Sequence, residues 1–199
     1  NRHRTIERAL PFNLVPSDEP DALSIPRPVH RLDVPTGGLL LVAKTASAAA
    51  GLGQQFADRA VQKRYRALVV GHLNGAGRID LPVEGRAASS RYAAVEHTPS
   101  LHCTWVTTVE LWPETGRTHQ LRRHLAALGH PVLGDALYSQ EKAHLRRCGL
   151  FLRATSLQFR HPFTGEGVAV SIPEPQKFAS YRRREARRWN RLHPQGPNS

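Results

Sequence analysis

Cysteine is nearly missing: Cys103 and Cys148 are the only two in 199 residues. Two thiols build neither a disulfide framework nor a four-ligand zinc site, and a reducing compartment is the default expectation. Acids are scarce as well. Asp and Glu number 16 against 28 Lys and Arg, for a formal net charge of +12. That excess leaves the fold open but favours a polyanionic partner, nucleic acid before membrane. No apolar stretch approaches the roughly 20 residues of a bilayer span, and no secretory apolar region lies near the start. The chain opens at Asn1 without an initiator methionine, which implies a trimmed or partial chain with any targeting peptide out of view. The phosphate-cradling GxxxxGKS/T loop is absent, as are GxGxxG, GxSxG and any reactive-cysteine signature. Those absences speak against the common NTPase, dinucleotide-binding and serine-hydrolase chemistries.

What is present suffices for a core. Hydrophobic residues make up 40% of the chain, and the length suits one domain or one two-lobed domain. Residues 1–28 hold prolines with little periodicity and read as an extended arm. Residues 38–44 are short, apolar and turn-bounded, a buried strand. An Ala-rich helix is expected over 46–59. Strands are expected at 63–71, 91–97, 103–111, 150–159 and 167–172, with Gly75, Gly77 and Pro82 marking loops. In the 103–111 strand, Trp105, Thr107, Val109 and Leu111 share a face. Thr118 can cap a helix reaching about Leu128, closed by Gly129, with Leu121, Leu125 and Leu128 as its apolar stripe. A last helix spans about 175–190 and carries six arginines between Arg182 and Arg191; residues 193–199 read as a disordered tail. Many strands, few helices and no regular alternation argue for an α+β fold with a mixed, largely antiparallel sheet.

The stretch "HRLDVPTGGLLLVAK", His30 to Lys44, sets one acid between His30 and Arg31, read as a cationic pair, and a Pro-Thr-Gly-Gly turn. Asp33 reads two ways: a turn aspartate, or an ionised loop carboxylate able to attack an electrophilic carbon or take a proton. Gly37 and Gly38 leave room for a bulky ligand. His119, His124 and His130 lie close in sequence, but His119 and His124 sit about 140° apart around a helix. They cannot easily share one metal, so no metal site is expected.

Four blocks of the sequence resemble the RluA-type family of pseudouridine synthases. They are "HRLDVPTGGLLLVAK", "KRYRALVVG" at 63–71, "TGRTHQLRRHLAALGHPVLGDALY" at 115–138 and "LFLRATSLQFRHPFTGE" at 150–166. The resemblance runs from about residue 28 to 175, and the first and third blocks are long and specific. Two positions depart from the family pattern: Gly37 stands where Ser is usual, and Arg153 where His is usual. The Lys-Pro strand that normally precedes the first block is not evident, nor is a small S4-type RNA-binding domain.

The resemblance implies the pseudouridine synthase catalytic fold and an isomerase that converts uridine in rRNA or tRNA to its C-glycoside. The RNA supplies every atom, so no cofactor and no metal are implied. Asp33 matches the catalytic aspartate, Arg122 the basic residue paired with it, and Tyr65 the tyrosine that stacks on the base. Without the resemblance, Tyr65 reads as a core or edge residue and Arg122 as a surface arginine. Arg31 matches the residue that evicts the uridine, since the glycosidic carbon is unreachable in a stacked helix. His30, Leu121, Arg117, Thr118 and His119 are implied to line or organise the substrate site. Gly134, Asp135 and Tyr138 read as structural turn residues. The expected layout is an N-terminal arm at 1–28, a catalytic domain at 29–175, and a basic C-terminal helix and tail at 176–199. The arginines would grip RNA or a ribosomal or assembly partner. A monomer is expected, in the cytoplasm or in an organelle. The alternatives are a non-catalytic, ribosome-associated RNA-binding relative and a metal-dependent nuclease.

Overall fold

The apolar run that ends "KRYRALVV" decides where the core lies. In a computed structural model that describes residues 6–139 and 148–194, this run forms the central strand. In chain order the elements are α1 (Ile6–Asn13), β1 (Ala22–Pro28), β2 (Gly37–Gly38), β3 (Val42–Thr45), α2 (Ala46–Ala57), β4 (Gln62–Val70), β5 (Ala76–Ile79), β6 (Ser90–Ser100), β7 (Thr104–Pro113), α3 (Gln120–Ala127), β8 (Leu152–Arg160), β9 (Gly167–Ser171) and α4 (Gln176–Leu192). A seven-stranded sheet runs β2-β8-β4-β7-β6-β5, with β9 also on β8. The β2–β8 pair is parallel and the others are antiparallel. The expected mixed, largely antiparallel α+β fold is what forms.

Side chains alternate across a strand, so β4 feeds two layers. Ala67 and Val69 pack with Val109, Leu111, Leu121 and Leu125 under α3. Leu68 packs with Val106, Leu133, Phe151, Phe178 and Tyr181 under α4. A strand covered on both faces must be apolar at every position, which explains why the alternation in Lys63–Arg66 gives way to Ala-Leu-Val-Val. β6 and β7 form a long hairpin, in register from Ser90↔Pro113 to Ser100↔Thr104 with a bulge between Ala94 and Glu96.

Several expectations change. The strand expected at 38–44 divides. Gly37 and Gly38 pair with Arg153 and Ala154, while Val42–Thr45 leaves to pair with β1 in a separate two-stranded sheet. The close approach of Gly38 explains the break: its φ is +124°, and a Cβ there would lie 2.2 Å from the Ala154 carbonyl oxygen. Residues 6–28 are also no single extended arm, since α1 and β1 occupy much of them. β1 keeps Pro26 and Pro28 because a two-stranded sheet consists of edges, where a missing N–H is tolerated. Gly77, expected in a loop, lies within β5, where the Tyr92 ring covers it.

Helix ends follow local chemistry. Thr45 caps α2 by accepting the Ala48 N–H at 3.1 Å. The cap of α3 is His119 in the left-handed region (φ +55°), not Thr118. Gly129, at φ +80°, closes α3, and the His130 N–H reaches back to the Leu125 carbonyl. Leu128 lies outside the buried stripe that Leu121 and Leu125 form. α4 turns Phe178, Tyr181 and Glu185 inward. Among the described residues no helix is long and apolar enough to cross a membrane. Residues 195–199 of the expected tail lie outside the described residues.

Candidate active site

The loop that carries Asp33 is tied at both ends. On its near side His30 accepts the Leu41 N–H at Nε2 (2.9 Å) and stacks on Phe56 with ring centroids 4.8 Å apart. Burial pushes the His30 pKa down to about 4, so the ring is neutral at pH 7. The expected cationic pair is therefore Arg31 alone, and His30 serves as a splint. On the far side the Thr36 N–H donates to the Asp33 carbonyl at 2.7 Å, and β2 then locks onto β8. The turn leaves Val34 fully exposed at its tip and keeps Asp33 at 19% side-chain exposure.

α3 supplies the cation that faces this carboxylate. Arg122 is 3% exposed; its Nε and Nη2 donate to the two oxygens of fully buried Asp135 at 2.6 and 2.7 Å. Its remaining nitrogen, Nη1, points at Asp33 Oδ2 from 3.9 Å and has no hydrogen-bond partner among the described residues. The expected pairing of Arg122 with Asp33 is thus looser than a direct charge-assisted bond of about 3 Å, and the tight partner is Asp135, read from sequence as a turn residue. Burial by itself would raise the Asp135 carboxyl. Hydrogen bonds from Arg122 and from the Leu137 and Tyr138 N–H groups outweigh it, and its pKa falls below the ordinary value. This fork fixes the guanidinium plane, so one N–H edge stays aimed at Asp33. His119 approaches the same carboxylate, Nε2 to Oδ1 at 4.0 Å, while its Nδ1 is hydrogen-bonded to the Tyr138 hydroxyl at 2.9 Å.

A cavity of about 620 Å³ opens in front of Asp33. Of the residues expected at the site, it brings together Asp33, Tyr65, His30, Arg31, Leu121, Arg117 and Thr118. Arg122 and His119 reach Asp33 without lining it. Tyr65 enters from β4 beside a register shift between Arg64 and Tyr65. Burial, then the Asp33 charge, pushes its hydroxyl up to about 12, so it stays protonated across the physiological range. The wall at 115–118 is held by one buried amide. The Gln120 Oε1 accepts from the Thr115 hydroxyl and the Arg117 N–H, and its Nε2 donates to the Ser89 carbonyl and the Ser90 hydroxyl.

Sequence reasoning missed several contributors. Lys63, Arg59, Arg91 and Trp112 line the cavity, and burial lowers the Lys63 pKa. Lys63 stands two residues from Tyr65 and so shares its face of β4, a signal that was available. Asp135 follows Arg122 by 13 positions through a helix end and a loop, and no period links them. The three clustered histidines part company: His124 bonds the Leu81 carbonyl and His130 the Val70 carbonyl.

Comparison with known proteins places the chain in a family. Residues 7–127 match a family model described as RNA pseudouridylate synthase. The dual-specificity RNA pseudouridine synthase RluA of Pasteurella multocida is 40% identical, with 73% of this chain covering 72% of that protein. The ribosomal large subunit pseudouridine synthase D of Zymomonas mobilis is 39% identical, with 74% of this chain covering 52% of it. Among solved structures, human RNA pseudouridylate synthase domain containing 1 superposes with a TM-score of 0.65 at 32% identity, over 75% of this chain and 69% of that one. A family model spanning 7–127, relatives of about 40% identity and a shared fold all point the same way, and the chain belongs to the RNA pseudouridylate synthase family of isomerases.

Proposed function

We propose that this chain converts uridine to pseudouridine in ribosomal or transfer RNA, with Asp33 as its catalytic residue. One observation carries the reading: an anchored loop holds the Asp33 carboxylate in a 620 Å³ cavity, with the free edge of a buried arginine 3.9 Å behind it. The relatives named above lend the RNA class. The cavity has room for one extruded nucleoside. Extrusion is required because the glycosidic carbon is shielded in a stacked strand, and exposed Arg31 at the mouth can fill the gap left behind.

In the cavity the Tyr65 ring stacks on the base and Leu121 walls it. Asp33 then acts as an anion, either adding to C1′ or taking the C2′ proton; both require an ionised carboxylate at the start. Buried Arg122 sets a cation 3.9 Å from Asp33 Oδ2 without a direct bond, which leaves the carboxylate oxygens free to reach the sugar. The N1–C1′ bond breaks, the base turns over, and C5 bonds to C1′. The C5 proton leaves and N1 gains one, so no atom is added or lost. Tyr65, held protonated, is a platform and not the base. Arg117, Thr118 and His119 order the wall and meet the flanking phosphate. The enzyme would work as a monomer in the cytoplasm or an organelle, with a ribosomal assembly partner as a further candidate contact.

The test is pseudouridine mapping of cellular RNA treated with wild-type or Asp33→Asn protein. Asn keeps the shape and the turn but cannot act as an anion, and conversion should fall by at least about 100-fold with RNA affinity retained. A rate within about tenfold of wild type would remove Asp33 from this role.

A further inference from the structure

The face of α4 turned away from the sheet forms a groove of about 380 Å³ lined by Ser180, Arg183, Arg184, Arg187, Arg188 and Arg191. Its arginines differ from the one beneath them. Arg182, on the inner side, is matched by Glu174 and Glu96. On the outer side, Arg184 and Arg188 share a single carboxylate, Glu185, which is fully buried and also accepts the Ser100 hydroxyl. Arg183, Arg187 and Arg191 make no ion pair among the described residues. They recur every four positions, so they form one row about 12 Å long at 1.5 Å per residue. Five guanidinium groups are held beside one another with one buried acid between them, so this face keeps a strong excess of positive charge.

We propose that this groove is a second RNA-binding surface, gripping the phosphate backbone of the substrate's flanking helix; the inference rests on RNA being the substrate. The lining offers no aromatic or aliphatic anchor, which a protein-binding surface needs at its centre, whereas phosphate binding needs only cations and the counterions they displace. Arginine forks suit phosphate oxygens in particular. Position sets the kind of RNA. The cavity opens on the α3 layer, as Tyr65 and Leu121 show, and α4 covers the opposite layer through Phe178 and Tyr181. A few nucleotides in the cavity cannot touch the groove, so the RNA that meets both is a folded one that passes around the sheet. Because Phe178, Tyr181 and Glu185 are buried, α4 cannot be cut away without damaging the core, and point changes are the instrument.

The experiment compares wild type with the Arg183→Gln, Arg187→Gln, Arg191→Gln triple variant, all three outside the Glu185 cluster. Binding is titrated between about 50 and 200 mM salt with two labelled probes: an RNA hairpin with two helical turns of stem and uridine in its loop, and a uridine-containing pentanucleotide. For the hairpin, affinity should fall at least about tenfold, and the slope of log affinity against log salt should flatten by about 2 to 3. The pentanucleotide should bind both proteins alike. Equal hairpin slopes for the two proteins would overturn the proposal, whatever the enzyme's activity, and so would an equal loss for both probes. Pseudouridine mapping with the wild-type protein separates the two readings: flattened slopes in the triple variant alongside a wild-type protein that makes no pseudouridine in any RNA would keep the groove and discard the enzyme. Melting temperature and helix content of the triple variant, matching wild type, assign the loss to the surface.

Discussion

Arg122 and Arg187 are both helical arginines, yet the two sides of the sheet make them different tools. Arg122 lies in the α3 layer, 3% exposed, with two nitrogens committed to Asp135 and the third aimed at Asp33. Arg187 lies in the outer groove of α4 without an ion pair among the described residues. Burial makes the first arginine directional: losing a partner leaves a charge that water cannot reach. Exposure makes the second one of a crowd, whose effect is summed and screened by salt. Chemistry on one side needs aim, and retention of a long polyanion on the other needs number.

The largest effect should come from breaking the aimed side. Asp135→Ala strands the Arg122 guanidinium in the core and should destabilise the fold by about 3–5 kcal/mol, read as a shift of the urea midpoint. Asp135→Asn keeps the shape but releases the fork. Arg122 should then close on Asp33 as a direct pair and lower kcat more than it raises KM. Unchanged kcat in a folded Asp135→Asn protein would show that the fork has no positioning role.

A smaller effect sits at the loop's splint. His30 titrates near 4 when folded, against an ordinary 6.5. Between those values the unfolded chain binds a proton that the native one refuses, so stability falls as pH drops from about 6.5 towards 4, by about 2–3 kcal/mol. His30→Gln can still accept the Leu41 N–H and does not titrate. Its melting temperature should therefore lose less between pH 7 and 4.5 than that of wild type. Equal losses would mean that the ring protonates without disturbing the loop.

The smallest effect should be on the crowded side. Arg187→Gln alone should leave stability within about 0.5 kcal/mol, as surface changes usually do, and flatten the salt slope for the hairpin by about 1. A clear loss of stability would place Arg187 in the architecture, and would blur the contrast with Arg122.

The two departures from the family pattern also gain a physical reading. Gly37 and Arg153 are register partners, and a Cβ on Gly37 would lie 2.9 Å from Arg153 Nη1. A serine on β2 would require only the flexible end of the Arg153 side chain to move aside. Both residues were visible in the sequence as separate oddities, because only the β2–β8 pairing makes them neighbours.

Local signals were enough for much of the rest. The alternation that turns apolar in Lys63–Val70 specifies a central strand, Gly129 ends α3 through its backbone freedom, and the Pro-Thr-Gly-Gly turn presents a carboxylate. These follow from period and turn chemistry, which act over a few residues. Only the folded chain decided that residues 38–44 divide between two sheets, that His30 is neutral, and that the partner of Arg122 is Asp135. It also set the arginines of α4 behind the sheet, away from the cavity. Burial and charge pairing depend on what packing brings within a few ångströms, and neither spacing nor composition carries that information.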